Sequence, residues 1–262
     1  RTNYVAAMDA LTKLKEIAAL DLGGTAEDYD IADETVFLKS DPTQSLTYAA
    51  AAQRAIDLGG KFSGYEVSAD LNNMTKTSVA ALAGTGLIGA AKDNLERVGT
   101  VPAFAAGFMR IELDLETGRF EILEYLGVAD CGTVIHPMGL ATQIKGAAVM
   151  GIGMASSERH IIDPQNGLPA NVGLYQAKPP TYLDVPAMMG WAAVDEPDPQ
   201  NPVGAKGIGE PIMGCATAAL LCAISDALGG HIFNRTPVVP DMIVNAVAGR
   251  EQSHKPLQIH TA

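Results

Sequence analysis

A carboxylate that follows a glycine-rich loop is the feature of this sequence best suited to chemistry. Residues 203–215 read VGAKGIGEPIMGC, so that Glu210 comes directly after Gly204, Gly207 and Gly209. Glycine can adopt positive φ and lets the backbone pass close to a ligand. Pro211, a residue type favoured in the first turn of a helix, opens a long apolar stretch. We therefore predict a glycine loop that ends in a carboxylate at the start of a buried helix.

Glu210 has the position that a general base would need. The positive end of a helix dipole stabilises an ionised carboxylate, whereas burial raises its pKa. A carboxylate under both influences can accept a proton near neutral pH. The simpler interpretation is that Glu210 only caps the helix. Capping accounts for a glutamate before a proline, but not for the three glycines and Lys206 that precede it. The base role requires a carboxyl group that faces a cavity and not open solvent.

Other motifs point to chemistry less strongly. Residues 84–89 match G-x-G-x-x-G, but the alanine-rich residues before them do not read as the strand that a dinucleotide site needs. No G-x-S-x-G motif supports a Ser–His–Asp hydrolase. Gln143, taken alone, is an ordinary polar residue near a helix start. The histidines lack the spacing of a zinc site; they are His136, His160, His231, His254 and His260.

The composition is that of a globular chain, because 47% of the 262 residues are hydrophobic. The net charge is −12 and basic runs are absent, which predicts that nucleic acid is not a partner. We find no apolar run of about 18 residues and predict no membrane span. Cys131, Cys215 and Cys222 form no C-x-x-C pair, which favours a reducing, cytoplasmic compartment. The last two are predicted to be small core residues of one helix.

The hydrophobic periodicity predicts an α+β fold with mixed sheets. We expect helices at residues 3–20, 46–58, 138–157, from Pro211 to about 228 and near 239–248, the first two capped by Asn3 and Ser45. We expect strands at residues 29–31, 35–38, 102–115, 119–130 and 231–233. Residues 61–100, with a weak helical signal near 86–96, and residues 163–202 are predicted to be long connections. Residues 1–262 are expected to form one domain, within which 1–100 and 101–262 can be sub-lobes.

Three glycines lie inside the predicted helix 138–157, namely Gly146, Gly151 and Gly153. Each costs an isolated helix about 1 kcal/mol relative to alanine. Glycines retained at this cost usually allow close packing, so we expect a neighbouring element to lie against this helix.

Several segments, taken in order, resemble the xanthine dehydrogenase family of molybdenum hydroxylases. Residues 203–211 are similar to the family's glutamate loop, and residues 143–153 (QIKGAAVMGIG) to its glutamine-containing helix. Arg1-Thr2 before a helix is similar to part of a cofactor-contacting Ser-Arg-Thr segment. Residues 111–118, 128–137 and 182–186 resemble further family segments. Arg1-Thr2-Asn3 also leads straight into a helix, which predicts a chain that belongs to a larger structural unit.

The resemblance implies a C-terminal molybdopterin-binding domain of the family's large subunit. In that family a molybdenum–pterin cofactor hydroxylates an electron-poor carbon with oxygen from water, and a glutamate is the general base. It implies Glu210 as that base, and a cofactor-binding set of Gln143, Lys206, Gly207, Ile208, Gly209, Arg1 and Thr2. It implies no direct protein ligand to the metal. The substrate class that it implies is an N-heteroaromatic compound or an aldehyde.

The resemblance also implies partners, because the family's molybdenum subunit is much longer than this chain. We expect a heteromeric complex in which another chain supplies the N-terminal molybdopterin-binding lobe. Partner chains are also expected to carry a [2Fe-2S] cluster and FAD, and the pterin is expected in its cytosine dinucleotide form. Two alternatives stay open: a non-catalytic structural subunit of such a complex, and an NAD-dependent dehydrogenase that uses Gly84–Gly89.

Overall fold

The computed structural model describes residues 1–97 and 99–253. These residues divide into two compact units, one ending at Arg97 and the other formed by the residues that follow it. His254 and His260 lie outside the described residues. Each unit has its own three-stranded sheet and its own apolar core.

The first unit packs helices on an antiparallel sheet of order β1–β2–β3. Helix α1 places Ile17 against Ala51 and Ala55 of a second helix, while Ala18 packs with Tyr29 and Val36 of the sheet. Its elements are α1 (Thr2–Leu22), β1 (Tyr29–Ala32), β2 (Thr35–Leu38), β3 (Asp41–Thr47), α2 (Tyr48–Leu58) and α3 (Asn73–Leu82). The predicted α1, α2, β1 and β2 are confirmed.

Three predictions for the first unit are wrong in detail. Helix α1 begins one residue before the expected cap Asn3, with Arg1 at the N-cap position. Strand β3 occupies residues expected to break and cap a helix, and Thr47, not Ser45, caps α2 by accepting a hydrogen bond from the N–H of Ala50 at 3.2 Å. Pro42 is tolerated in β3 because the strand lies at the edge of the sheet.

Residues 61–97 contain a helix in a different place from the one expected. Helix α3 is capped by Asn72, whose side chain accepts a hydrogen bond from the N–H of Thr75 at 2.9 Å. Its asparagine, threonine and serine content weakens the helical signal, since these side chains compete for backbone hydrogen bonds. The weak helical signal near 86–96 is wrong, because the structure has no helix there.

The second unit packs two long helices on one face of a mixed sheet, which confirms the α+β class. Strands β4 and β5 form an antiparallel hairpin, and β6 pairs parallel to β5. Helices α4 and α6 pack against each other, α6 on β4 and α4 on β5. The elements are β4 (Ala105–Leu113), β5 (Phe120–Asp130), α4 (Pro137–Ser156), α5 (Leu174–Ala177), β6 (Met188–Val194), α6 (Gly209–Ala227) and α7 (Pro240–Val247).

The core of the second unit lies between this sheet and the two helices. Tyr125 of β5, Ile144 of α4 and Ile212 of α6 are fully buried within it. Strand β6 and the short helix α5 lie in the segment that was predicted to be a loop. Conversely, the expected strand at residues 231–233 is absent from the described structure. Cys131 is buried, but Cys222 is exposed, so its predicted place in the core is wrong.

Helix α6 is the one described helix whose length and composition would allow it to cross a membrane. The prediction of no membrane span, which was based on uninterrupted apolar runs in the sequence, did not identify this helix. In this structure the helix is instead a core element, since Ile212, Ala216, Leu220 and Ile224 are fully buried on one side of it.

Candidate active site

The glycine loop is fixed to the carboxyl end of strand β5. Ala205 forms an antiparallel bridge with Gly132, just beyond that strand. The N–H of Lys206 donates to the carbonyl of Cys131 at 2.7 Å, and the N–H of Thr133 donates to the carbonyl of Gly204 at 2.8 Å. The end of the sheet thereby determines where the loop runs.

The predicted positive φ occurs at Gly204 but not at Gly207 or Gly209. Gly204 has a φ of +73°, and a Cβ atom there would overlap the hydroxyl of Thr133 and lie 3.0 Å from Cβ of Pro197. A Cβ at Gly207 would meet none of the described atoms within 4 Å. Neither backbone strain nor packing inside this chain therefore requires a glycine at 207, and the space beside it is open.

The Lys206 side chain points at the strand and not at that open space. Its Nζ donates to Oδ2 of Asp130 at 2.6 Å and to the carbonyl of Pro102 at 3.2 Å. The exposed fractions of the Lys206 and Asp130 side chains are 11% and 18%. The hydrogen bond from Lys206 lowers the pKa of Asp130, and the N–H of Gly132 adds to this effect. The pairing of Asp130 with Lys206 was not predicted from the sequence, because only the fold brings the two residues together.

Helix α6 begins two residues before the position predicted from Pro211. Its first residue is Gly209 and its N-cap is Ile208, which is buried in the core. Within residues 1–97 and 99–253, the backbone N–H groups of Gly207, Ile208 and Gly209 have no hydrogen-bond acceptor. Unpaired N–H groups at the positive end of a helix are suited to a ligand that offers oxygen atoms or negative charge.

The expected burial of Glu210 is wrong for this chain. Its side chain is exposed and makes no hydrogen bond or ion pair with the described residues. The capping interpretation gains no support either, since no side chain caps the start of α6. Glu210 thus leaves its carboxylate available on the surface, one residue after the open N–H groups.

Gln143 lies beside this loop because α4 and α6 pack together. Its Oε1 is 3.8 Å from the position of a Cβ at Gly209. The Gln143 side chain is exposed and forms no hydrogen bond with the part of the chain that the structure describes. The predicted residues Gln143, Gly207, Ile208, Gly209 and Glu210 therefore lie around one open surface of the second unit.

Arg1 and Thr2 belong to the first unit, whereas the other predicted site residues belong to the second. The guanidinium of Arg1 donates to the two carboxylate oxygens of Asp93 at 2.8 and 3.0 Å, and to the carbonyl of Leu95. This pairing lowers the pKa of Asp93. Thr2 is the first residue of α1. The guanidinium thus has a partner within its own unit.

The structure also shows the surroundings of the G-x-G-x-x-G motif and of the candidate metal ligands. Gly84–Gly89 follows helix α3 and not a strand, and the described residues directly after it form no helix. The strand and the helix that flank a dinucleotide-binding motif are therefore both missing here. His136 caps α4, its Nδ1 accepting from the N–H of Gly139 at 2.7 Å. The described residues contain no group of three or more His, Cys, Asp or Glu side chains that could hold a metal ion.

Comparison with known proteins shows which family this chain matches. Residues 2–186 match the family described as molybdopterin cofactor-binding domain. The match ends before the glycine loop, so it does not bear on residues 206–210.

Two relatives and one solved structure illustrate the similarity. The 6-hydroxypseudooxynicotine dehydrogenase complex subunit gamma of Paenarthrobacter nicotinovorans is 33% identical over 153 residues, which cover 58% of this chain and 19% of that protein. The xanthine dehydrogenase molybdenum-binding subunit of Escherichia coli O157:H7 is 33% identical over 150 residues, 57% of this chain and 20% of that protein. Quinoline 2-oxidoreductase from Pseudomonas putida 86 aligns with a TM-score of 0.65 and 26% identity, covering 92% of this chain and 28% of its own. The chain therefore spans about a fifth of the length of the curated relatives it matches.

Proposed function

The chain belongs to the molybdopterin cofactor-binding domain family, and on that premise we propose that it forms part of the molybdenum-binding subunit of an oxidoreductase. The reaction is hydroxylation of a carbon atom in an N-heteroaromatic compound or an aldehyde, with oxygen derived from water. The names of the relatives support this reaction class, since they include a nicotine 6-hydroxylase large subunit and an aldehyde oxidoreductase molybdenum-binding subunit.

The observation that supports a cofactor here is the open surface beside the glycine loop. The N–H groups of Gly207, Ile208 and Gly209 lack acceptors among the described residues, and the side-chain amide of Gln143 is unpaired next to them. Pterins and their phosphate-linked tails offer oxygen and nitrogen atoms that suit such donors and such an amide. We infer that these four residues hold the cofactor, which when bound supplies the two-electron redox chemistry.

Glu210 is proposed as the general base. Glu210 lies in the first turn of α6, and Gly209 beside it has no side chain. The carboxylate would accept the proton of the attacking oxygen and later release it to solvent. Because Glu210 is exposed in this chain, the proposal requires that another lobe covers it and excludes water.

We propose that this lobe lies on a partner chain. Partner chains are also proposed to carry a [2Fe-2S] cluster and FAD. The pterin is proposed to be in its cytosine dinucleotide form. The segment around α5 supports a protein partner, since Tyr175, Tyr182 and Leu183 are 87%, 98% and 96% exposed although local hydrogen bonds order the chain there. Free cysteines at 131, 215 and 222 fit a reducing, cytoplasmic location.

The alternative is a structural subunit that retains the fold and leaves the chemistry to other chains. The exposure of Glu210 favours it, because a surface carboxylate without a partner has no feature that commits it to catalysis. The proximity of Gln143 to Gly209 favours the catalytic assignment, because it brings together two segments, distant in sequence, that the resemblance implies as cofactor contacts.

Co-expression with the polypeptide that supplies the remaining length of the relatives tests the cofactor proposal. We expect the purified complex to contain molybdenum and a bound pterin, measured by elemental analysis and by mass spectrometry of the released cofactor. Gln143→Ala should lower the molybdenum content, whereas the matched control Gln165→Ala, at an exposed glutamine outside the site, should not. A complex with neither metal nor pterin would contradict the proposal.

A further inference from the structure

Lys206 and Asp130 join the glycine loop to the sheet through a short, poorly exposed ion pair. We propose that this pair is a positioning device, which holds the loop so that the N–H groups of residues 207–209 and the carboxylate of Glu210 face the cofactor. This inference rests on the proposed function and assigns Lys206 a different role from the cofactor contact implied by the resemblance.

The geometry of the lysine side chain supports this assignment. Its ammonium group already donates to Asp130 at 2.6 Å and to the carbonyl of Pro102 at 3.2 Å, both on the sheet side of the loop. Oδ1 of Asp130 is buried and accepts no hydrogen bond of ordinary geometry from the described residues. Lys206 is therefore the main partner of this carboxylate, and charged hydrogen bonds in such poorly solvated places are among the strong ones.

The position of Lys206 in the loop indicates which peptide groups the ion pair would hold in place. Lys206 and Ile208 flank Gly207, which has no side chain and whose Cβ position meets no described atom within 4 Å. Ile208 is anchored by burial in the core, and Lys206 by Asp130. With both flanks fixed, the peptide groups between them have a defined direction. Without the ion pair, the restraints left among the described residues would be the burial of Ile208, the backbone hydrogen bonds of residues 204–206 and the hydrogen bond from the Asn201 side chain to the carbonyl of Ala205.

Hydrogen–deuterium exchange of the assembled complex tests the device without reference to activity. In Lys206→Met we expect the amides of Thr133 and Lys206, which donate to backbone carbonyls between the loop and the end of β5, to exchange about tenfold faster, as expected for loss of one charged hydrogen bond. The matched control is Arg110→Met, which removes the exposed Arg110–Glu124 pair (3.4 Å) of the same sheet and should leave these amides unchanged. Unchanged exchange in Lys206→Met would overturn the inference.

Steady-state kinetics distinguish positioning from direct contact with the cofactor. We expect Lys206→Met and Asp130→Asn each to lower kcat by about ten- to a hundredfold, the cost of a small misplacement, with KM and molybdenum content little changed. The double variant should be no worse than the more impaired single variant, because both remove the same interaction. Wild-type turnover of Asp130→Asn beside an impaired Lys206→Met would instead mean that Lys206 acts on the cofactor.

Different results would contradict the general-base role of Glu210 and the positioning role of Lys206. Wild-type turnover of Glu210→Gln would remove the proposed general base but leave the exchange result on Lys206 standing. A large loss in Glu210→Gln, together with wild-type exchange and turnover in Lys206→Met, would keep the general base and overturn the positioning device.

Discussion

The side-chain oxygen of Gln143 lies 3.8 Å from the place where a side chain at Gly209 would begin. The two residues are distant in sequence, and the packing of α4 on α6 brings them together. Gly151 makes that packing close, because its α-carbon faces the backbone of Met213 and a Cβ there would overlap the carbonyl oxygen. The arrangement of the candidate site thus depends on a glycine that lies outside it.

Alanine at Gly151 should destabilise the chain, whereas alanine at Gly146 should stabilise it. A Cβ at Gly151 would lie 2.9 Å from Cβ of Ala216 besides overlapping Met213, and we expect a loss of about 1–3 kcal/mol in the free energy of unfolding from overpacking. Gly146 is exposed on the same helix, with no described atom near its Cβ position, so alanine should add about 0.5–1 kcal/mol. Chemical denaturation of both variants measures the difference; equal stabilities would show that Gly151 is not a packing residue.

Two glycines of the loop are expected to differ in how alanine affects the stability of the chain. Gly204→Ala should lower the free energy of unfolding by about 1–3 kcal/mol, because the residue has a φ of +73° and no room for a methyl group. Gly207→Ala should leave stability nearly unchanged, since the space beside it is open within the described chain. If the cofactor occupies that space, Gly207→Ala should instead reduce the molybdenum content of the complex. Normal loading of Gly207→Ala would argue against a cofactor at this position.

Acid should weaken the fold through Asp93 and Asp130. Hydrogen bonds from Arg1 and Lys206, respectively, lower the pKa of these two carboxyl groups in the folded chain. A carboxyl group with a lowered folded-state pKa contributes stability above its unfolded pKa of about 4 and loses it as the pH falls through the folded value. The midpoint temperature of thermal unfolding should therefore fall when the pH is lowered below about 4.

Asp130→Asn isolates one part of this effect. The variant should be less stable at pH 7 and should lose less on acidification than the original chain, because it has one fewer carboxylate to protonate. Glu121→Gln, which removes an exposed acid without a described partner, is the control and should follow the original curve. Parallel acid curves for Asp130→Asn and the original chain would contradict the role given to Asp130.

Much of the second unit follows from sequence pattern alone. The hairpin of β4 and β5, the helix that begins at Pro137 and the helix after the glycine loop all have strong local signals, and the structure has each of them. Strand β6 was missed because prolines flank a stretch of only seven residues, and its pairing with β5 depends on the long crossover through α4. Local signals carry no information on such a partner.

The candidate site was predictable as a motif but not as a geometry. The order of residues 204–210 indicated a loop with a carboxylate, and the resemblance implied Gln143 as a cofactor contact. The role of Lys206 was hidden because it depends on Asp130, which reaches it only through the fold. The burial expected for Glu210 was wrong because Glu210 lies on the exposed side of the first turn of α6, whose other side is held in the core by Ile208 and Ile212.

We propose Glu210 as the proton acceptor of a molybdenum-dependent hydroxylation. Turnover of Glu210→Gln in the assembled complex, with molybdenum content measured on the same sample, tests it most directly. Glutamine retains the size of the side chain but cannot accept the proton, so kcat should fall by at least about a hundred- to ten-thousandfold at unchanged metal content. Turnover at the wild-type rate in a fully loaded Glu210→Gln complex would contradict the claim and favour the structural subunit.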